Sequence, residues 1–162
     1  MNKALTVALV ALVALALAVA GCGGGDDSTG STEVSVNADL TKAQFLQQAN
    51  AICAKANQEL DQEIEEFAKE HNLGGKKEPT KEVLAEAAEE ILLPSATRQV
   101  EEIRDLGAPA GEEKAVDKIL TAAEKAVEES EEDPAKAALS TGGPFTDANK
   151  LASDYGLKRC GE

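Results

Sequence analysis

Aromatic side chains are nearly missing from this chain, which has no tryptophan, one tyrosine and three phenylalanines in 162 residues. A core without them rests on alanine, leucine, isoleucine and valine, and is thin for its length. Histidine occurs once, at His71. A Ser-His-Asp triad would have to be assembled around that residue, and no nucleophile motif is present. Strand signals are also scarce: Val34-Ser35-Val36 alternates and then stops, too short to matter. The glycines at 23–25 and 142–143 follow no strand, so neither stretch is a phosphate loop.

Positive charge is in deficit as well. Sixteen Lys and Arg face thirty Asp and Glu, a formal charge of −14. Such a chain repels nucleic acid and anionic headgroups, which excludes nucleic-acid binding and a basic membrane-docking patch.

What the chain does have begins at its start. Met1-Asn2-Lys3 supplies a basic opening, residues 4–20 are apolar apart from Thr6, and small residues follow. This is the layout of an export leader. A spanning helix of roughly 20 residues is the rival reading. The flank Cys22-Gly23-Gly24-Gly25-Asp26-Asp27 carries no basic stop-transfer cluster, which argues against it. Val19-Ala20-Gly21-Cys22 resembles the lipobox of bacterial lipoproteins: an aliphatic residue, a small residue, Gly or Ala, then Cys. The resemblance implies cleavage before Cys22 and lipidation of its sulfur. The protein would then be extracytoplasmic and held to a membrane through Cys22. One acyl chain anchors only marginally, and two or three anchor durably.

On this reading residues 1–21 are a signal peptide and residues 22–39 a lipidated cysteine with a polar tether, rich in Gly, Ser, Thr and Asp. Such a coil reaches about 20–25 Å. Residues 40–162 form one folded domain. The leader contains Lys3 and no acidic residue, so the mature chain has fifteen Lys and Arg against thirty Asp and Glu, a charge of −15.

Commitment of Cys22 to lipid leaves Cys53 and Cys160. In an oxidising compartment these are expected to pair as a disulfide. The alternatives are two free thiols or a metal site, the latter short of ligands with one distant histidine. The bridge would close a loop of about 107 residues, worth up to about 4.7 kcal/mol in the chain-entropy account.

From Thr41 onward the pattern is helical. Thr41 and Gln44 form a capping-box signal. Phe45, Ala49, Ile52, Cys53, Ala56, Leu60, Ile64 and Phe67 recur at helical spacing until Asn72-Leu73-Gly74-Gly75. A second helix starts at Thr80 with Val83, Ala87, Ala88, Ile91 and Leu92 inward, and Pro94 is expected to kink or break it. The stripe resumes at Ala96, Val100, Ile103 and Leu106 and ends at Gly107-Ala108-Pro109. A third helix spans about 112–132, with Ala115, Val116, Ile119, Leu120, Ala123 and Val127 inward. Asp133-Pro134 opens a short helix. A last helix covers about 145–155, with Gly156 placed to end it. The expected fold is all-α: an antiparallel bundle of three long helices plus a short C-terminal helix, with one disulfide.

Phe45-Leu46, Ala49-Asn50, Ile52-Cys53 and Ala56-Asn57, together with Tyr155-Gly156-Leu157 and Cys160-Gly161, resemble secreted helical lipoproteins of actinobacteria. That resemblance covers two short stretches. It supports the fold and the disulfide and implies no activity.

Few residues are candidates for chemistry. At about 100° per residue, Asn50 and Asn57 share one flank beside Cys53, with Asp61 slightly further round. They would bind a small ligand or another chain, or else tie the C-terminal tail or a neighbouring helix by hydrogen bonds. His71 falls in the last turn of its helix, where a cation suits the helix dipole. The run Glu128-Glu129-Ser130-Glu131-Glu132-Asp133 lacks the alternating ligands and central glycine of a calcium loop and reads as a solvated face. No catalytic residue, metal or cofactor is expected. The expected function is a lipid-anchored binding or interaction module, with an envelope protein or small ligand as partner. The alternative is a structural envelope spacer. A polar-lined cavity beside Asn50 and Asn57 favours the first, and a solid Ala/Leu core the second.

Overall fold

The computed structural model describes residues 34–73, 79–138 and 142–161. The expected leader and Cys22 lie outside the described residues. The described part is mostly helical. Its longest element is α1 (Lys42–Glu70). The capping box forms as expected: the Thr41 amide donates to Gln44 Oε1 at 3.0 Å, and the Gln44 amide donates to Thr41 Oγ1 at 3.3 Å. Both bonds satisfy donors that helix geometry leaves without partners. Phe45, Ala49, Cys53, Ala56 and Phe67 form the buried stripe of α1.

Thr80 caps α2 (Lys81–Ala87). The chain then passes through a π-helical turn at Ala88–Leu92 into α3 (Leu93–Leu106). The expected break at Pro94 is therefore relocated. Ala87, Ala88, Leu92 and Leu93 all keep right-handed helical dihedrals, and the Leu93 amide reaches back to the Ala88 carbonyl. Pro94 falls in the first turn of α3. There a missing N–H is tolerated, and the wider turn before it takes up the irregularity.

Next come α4 (Glu113–Glu132), α5 (Pro134–Ala137) and α6 (Thr146–Tyr155). Gly156 ends α6 in the left-handed region at φ +115°. The inward face of α4 differs in part from the sequence pattern. Val116, Ile119, Leu120, Ala126 and Ser130 are buried, whereas Ala115 is exposed and Val127 only half-buried. Ser130 tolerates burial because its hydroxyl donates to the Ala126 carbonyl at 2.6 Å.

The segment before Leu40 departs from the expected tether. Val34 is 8 % exposed and belongs to the core. Val36 and Asn37 form β1 (Val36–Asn37), which pairs in parallel with β2 (Ala108–Pro109). The Asn37 side chain donates to the Leu106 carbonyl at 2.9 Å. The packed domain therefore reaches back to Val34. Two pairs of bonded residues are too few to leave a periodic signal, which is why the sequence reads as coil there.

α1 packs against α3, α3 against α4, α4 against α6, and α2 against α5. The main core gathers Phe45, Ala49, Cys53, Val100, Val116 and Leu120 with others from these elements. A smaller cluster joins Phe67, Ala87 and Ile91. Among the described residues no helix is long and apolar enough to cross a membrane.

Candidate functional site

The C-terminal tail is tied to α1 by one covalent bond and several polar ones. Cys53 and Cys160 form a disulfide with sulfurs 2.04 Å apart. Asn50, one turn earlier on α1, faces the same tail. Its Nδ2 donates to the Leu46 carbonyl at 2.8 Å and the Gly156 carbonyl at 3.1 Å. Its Oδ1 accepts the Arg159 amide at 2.8 Å. Two turns on from Asn50, Asn57 Nδ2 donates to the Arg159 carbonyl at 2.9 Å. The two asparagines thus clamp the backbone just before Cys160, the tying role open to them from their positions. Asp61 is exposed and takes no part in the clamp.

This strap forms one wall of a cavity of about 400 Å³. Cys53, Asn57, Cys160 and Leu157 line it on the strap side; α3, α4 and α6 supply most of the rest. Most of the lining is apolar, with the neutral polar side chains Asn57, Ser95, Gln99 and Asn149 among it. No Asp, Glu, Lys, Arg or His lines it among the described residues.

Ser95 stands out among the polar lining groups. It is 2 % exposed, and its Oγ is buried without a hydrogen-bond partner. A buried hydroxyl left so costs roughly 1–3 kcal/mol. The expected stripe resumes at Ala96 and leaves Ser95 out. The available signal was its spacing: Ser95 is four residues beyond the buried Ile91, on the same helix face. Asn149 carries no such signal. Gln99, four residues past Ser95, shares that spacing but is only half-buried; Asn149 lies on α6, and the packing of α3 against α4 and α4 against α6 brings all three to one cavity.

Tyr155 closes a second polar cluster. Lys42 Nζ lies 4.3 Å above its ring and 3.1 Å from Glu112 Oε2. Its ring meets Phe45 edge-on at 6.2 Å. Burial of the phenol, aided by the negative charge of Glu112, pushes its pKa up.

The other singled-out residues have structural surroundings. His71 caps α1, stacks on Phe67 with ring centroids 4.1 Å apart, and places Nε2 3.8 Å from Glu86. Glu128, Glu129, Glu131 and Glu132 are exposed. Asp133 instead joins Lys136 at 3.0 Å and Lys81 at 3.6 Å, tying α5 to α2. Those lysines hold its carboxyl below the usual range. No cluster of three or more His, Cys, Asp or Glu suited to a metal occurs among the described residues.

No protein-family model, curated protein or solved structure matches this chain.

Proposed function

We propose that this protein is a lipid-anchored, extracytoplasmic helical module that binds a small ligand inside its fold. The cavity carries the reading. Volumes of about 300–1,000 Å³ with a mainly apolar lining and a few placed polar groups are typical of ligand sites. A structural spacer gains nothing from such a void, which forgoes packing contacts. The architecture we assign is an antiparallel bundle of α1, the α2–α3 pair and α4, with α6 closing one side. The short link between α3 and α4 and the packing of α3 on both α1 and α4 support it. Anchoring rests on the lipobox at Val19-Ala20-Gly21-Cys22. With no charged side chain and no nucleophile–base pair lining it among the described residues, the cavity suits binding.

Two measurements test this reading. Cys22→Ala should move the protein from the membrane to the soluble fraction; a variant that stays membrane-bound overturns the anchor. Native mass spectrometry of the full chain extracted from membranes should reveal a small non-covalent adduct. A void that stays empty in every such preparation overturns the binding module.

A further inference from the structure

We infer that the cavity takes a neutral, mainly aliphatic molecule carrying a single hydroxyl or carbonyl, and that Ser95 is the group that reads it. The inference rests on the binding reading above and adds the chemical class of the ligand. Size sets the first limit. At about 30 Å³ per water-sized group, 400 Å³ holds roughly 13 non-hydrogen atoms. Charge sets the second. The chain is 28 % charged, yet no charged side chain lines the cavity among the described residues. An anion entering it would be desolvated without a partner, and the net charge of the chain opposes its approach. A cation would be drawn toward the acidic surface, then find no carboxylate inside. A neutral molecule escapes both penalties.

Polarity sets the third limit. Ser95 Oγ is buried without a partner and both donates and accepts. Asn57 already spends its Nδ2 on the tail. Gln99 and Asn149 are only half-buried, where water also reaches them. One deep polar group in a mainly apolar, partly open cavity matches a chain molecule with one polar end.

The test uses the full chain in phosphatidylcholine vesicles, irradiated with a diazirine derivative of 1-decanol, with adducts mapped by peptide mass spectrometry. Competitors are 1-decanol, decanoate, decyltrimethylammonium and undecane, each titrated and expressed as free concentration. The proposal expects adducts on the cavity-facing peptides of α3 and α4. It expects 1-decanol to suppress them at concentrations at least tenfold lower than either ionic analogue. Ser95→Ala should weaken 1-decanol about three- to tenfold, the loss of one hydrogen bond, and leave undecane unchanged. Ala123→Phe, which fills the void, should abolish the adducts while the circular dichroism spectrum stays helical. If that variant unfolds, the Ser95→Ala comparison decides alone. Decanoate or the ammonium compound competing as well as 1-decanol overturns the ligand class and leaves the binding reading standing. So does an equal loss of 1-decanol and undecane affinity in Ser95→Ala. Adducts scattered over the surface and competed by nothing overturn the binding reading itself.

Discussion

Asn50 Oδ1 accepts the backbone amide of Arg159 at 2.8 Å, across a sequence separation of 109 residues. The same side chain donates to Gly156, so one amide group grips the tail at two places. Asn50→Ala should lower the unfolding free energy by about 1–3 kcal/mol, and Asn57→Ala, with one bond to lose, by about 0.5–1.5 kcal/mol. Urea midpoints measure both. Hydrogen exchange at the Arg159 amide should quicken in Asn50→Ala and stay slow in Asn57→Ala, because Asn57 bonds the carbonyl and not the amide.

The disulfide joins residues 107 apart. A cross-link of that span restricts the unfolded chain strongly. Replacing Cys53 and Cys160 together with alanine should lower stability by about 2–5 kcal/mol. Non-reducing peptide mapping should link the two residues in the native protein. An unchanged urea midpoint in the double variant would contradict the stabilising role.

Gly107 lies where α3 gives way to β2, at φ +69°. A β-carbon there would approach Asn37 Cβ and the Ser35 carbonyl oxygen, each at 3.0 Å. Gly107→Ala should cost about 1–3 kcal/mol from backbone strain. The damage should centre on residues 34–37. Faster exchange of the Ala108 amide, which now donates to Ser35 at 2.8 Å, is the local readout.

Tyr155 is the single tyrosine, so its ionisation can be followed alone by absorbance near 295 nm. Its folded-state pKa is raised by burial and by Glu112. A raised pKa favours the protonated phenol in the fold. The stability this contributes is complete below the unfolded value of about 10 and is lost as pH rises beyond it. In urea Tyr155 should titrate near pH 10. In the native protein tyrosinate should appear only at higher pH, together with loss of the helical circular dichroism signal. Titration near 10 in an intact fold would refute the burial argument.

Much of the fold was legible because helices are written locally. Thr41 with Gln44, the stripe through Phe45 and Cys53, Thr80, Asp133-Pro134 and Gly156 are each read within a turn or two. The short parallel pairing of Val36 and Asn37 with Ala108 and Pro109 was not, since both partners lack a pattern of their own. Pro94 marked an irregularity, but the place where the helix absorbs it depends on how the backbone repacks one turn earlier.

The sequence alone determined a helical, acidic, aromatic-poor domain with its caps and its main buried stripe, because backbone propensity and apolar spacing act over a few residues. It also carries Val19-Ala20-Gly21-Cys22, four positions that resemble a lipobox and on which the proposed anchor rests. Tertiary structure decided the rest. The Cys53–Cys160 disulfide is the pairing the cysteine count predicts, whereas only the fold turned Asn50 and Asn57 to the tail backbone, which a helical projection could place only on a common flank. The fold also enclosed Ser95, Gln99 and Asn149 around one void. Cavities belong to the mismatch between packed surfaces, and no single segment of chain encodes that mismatch.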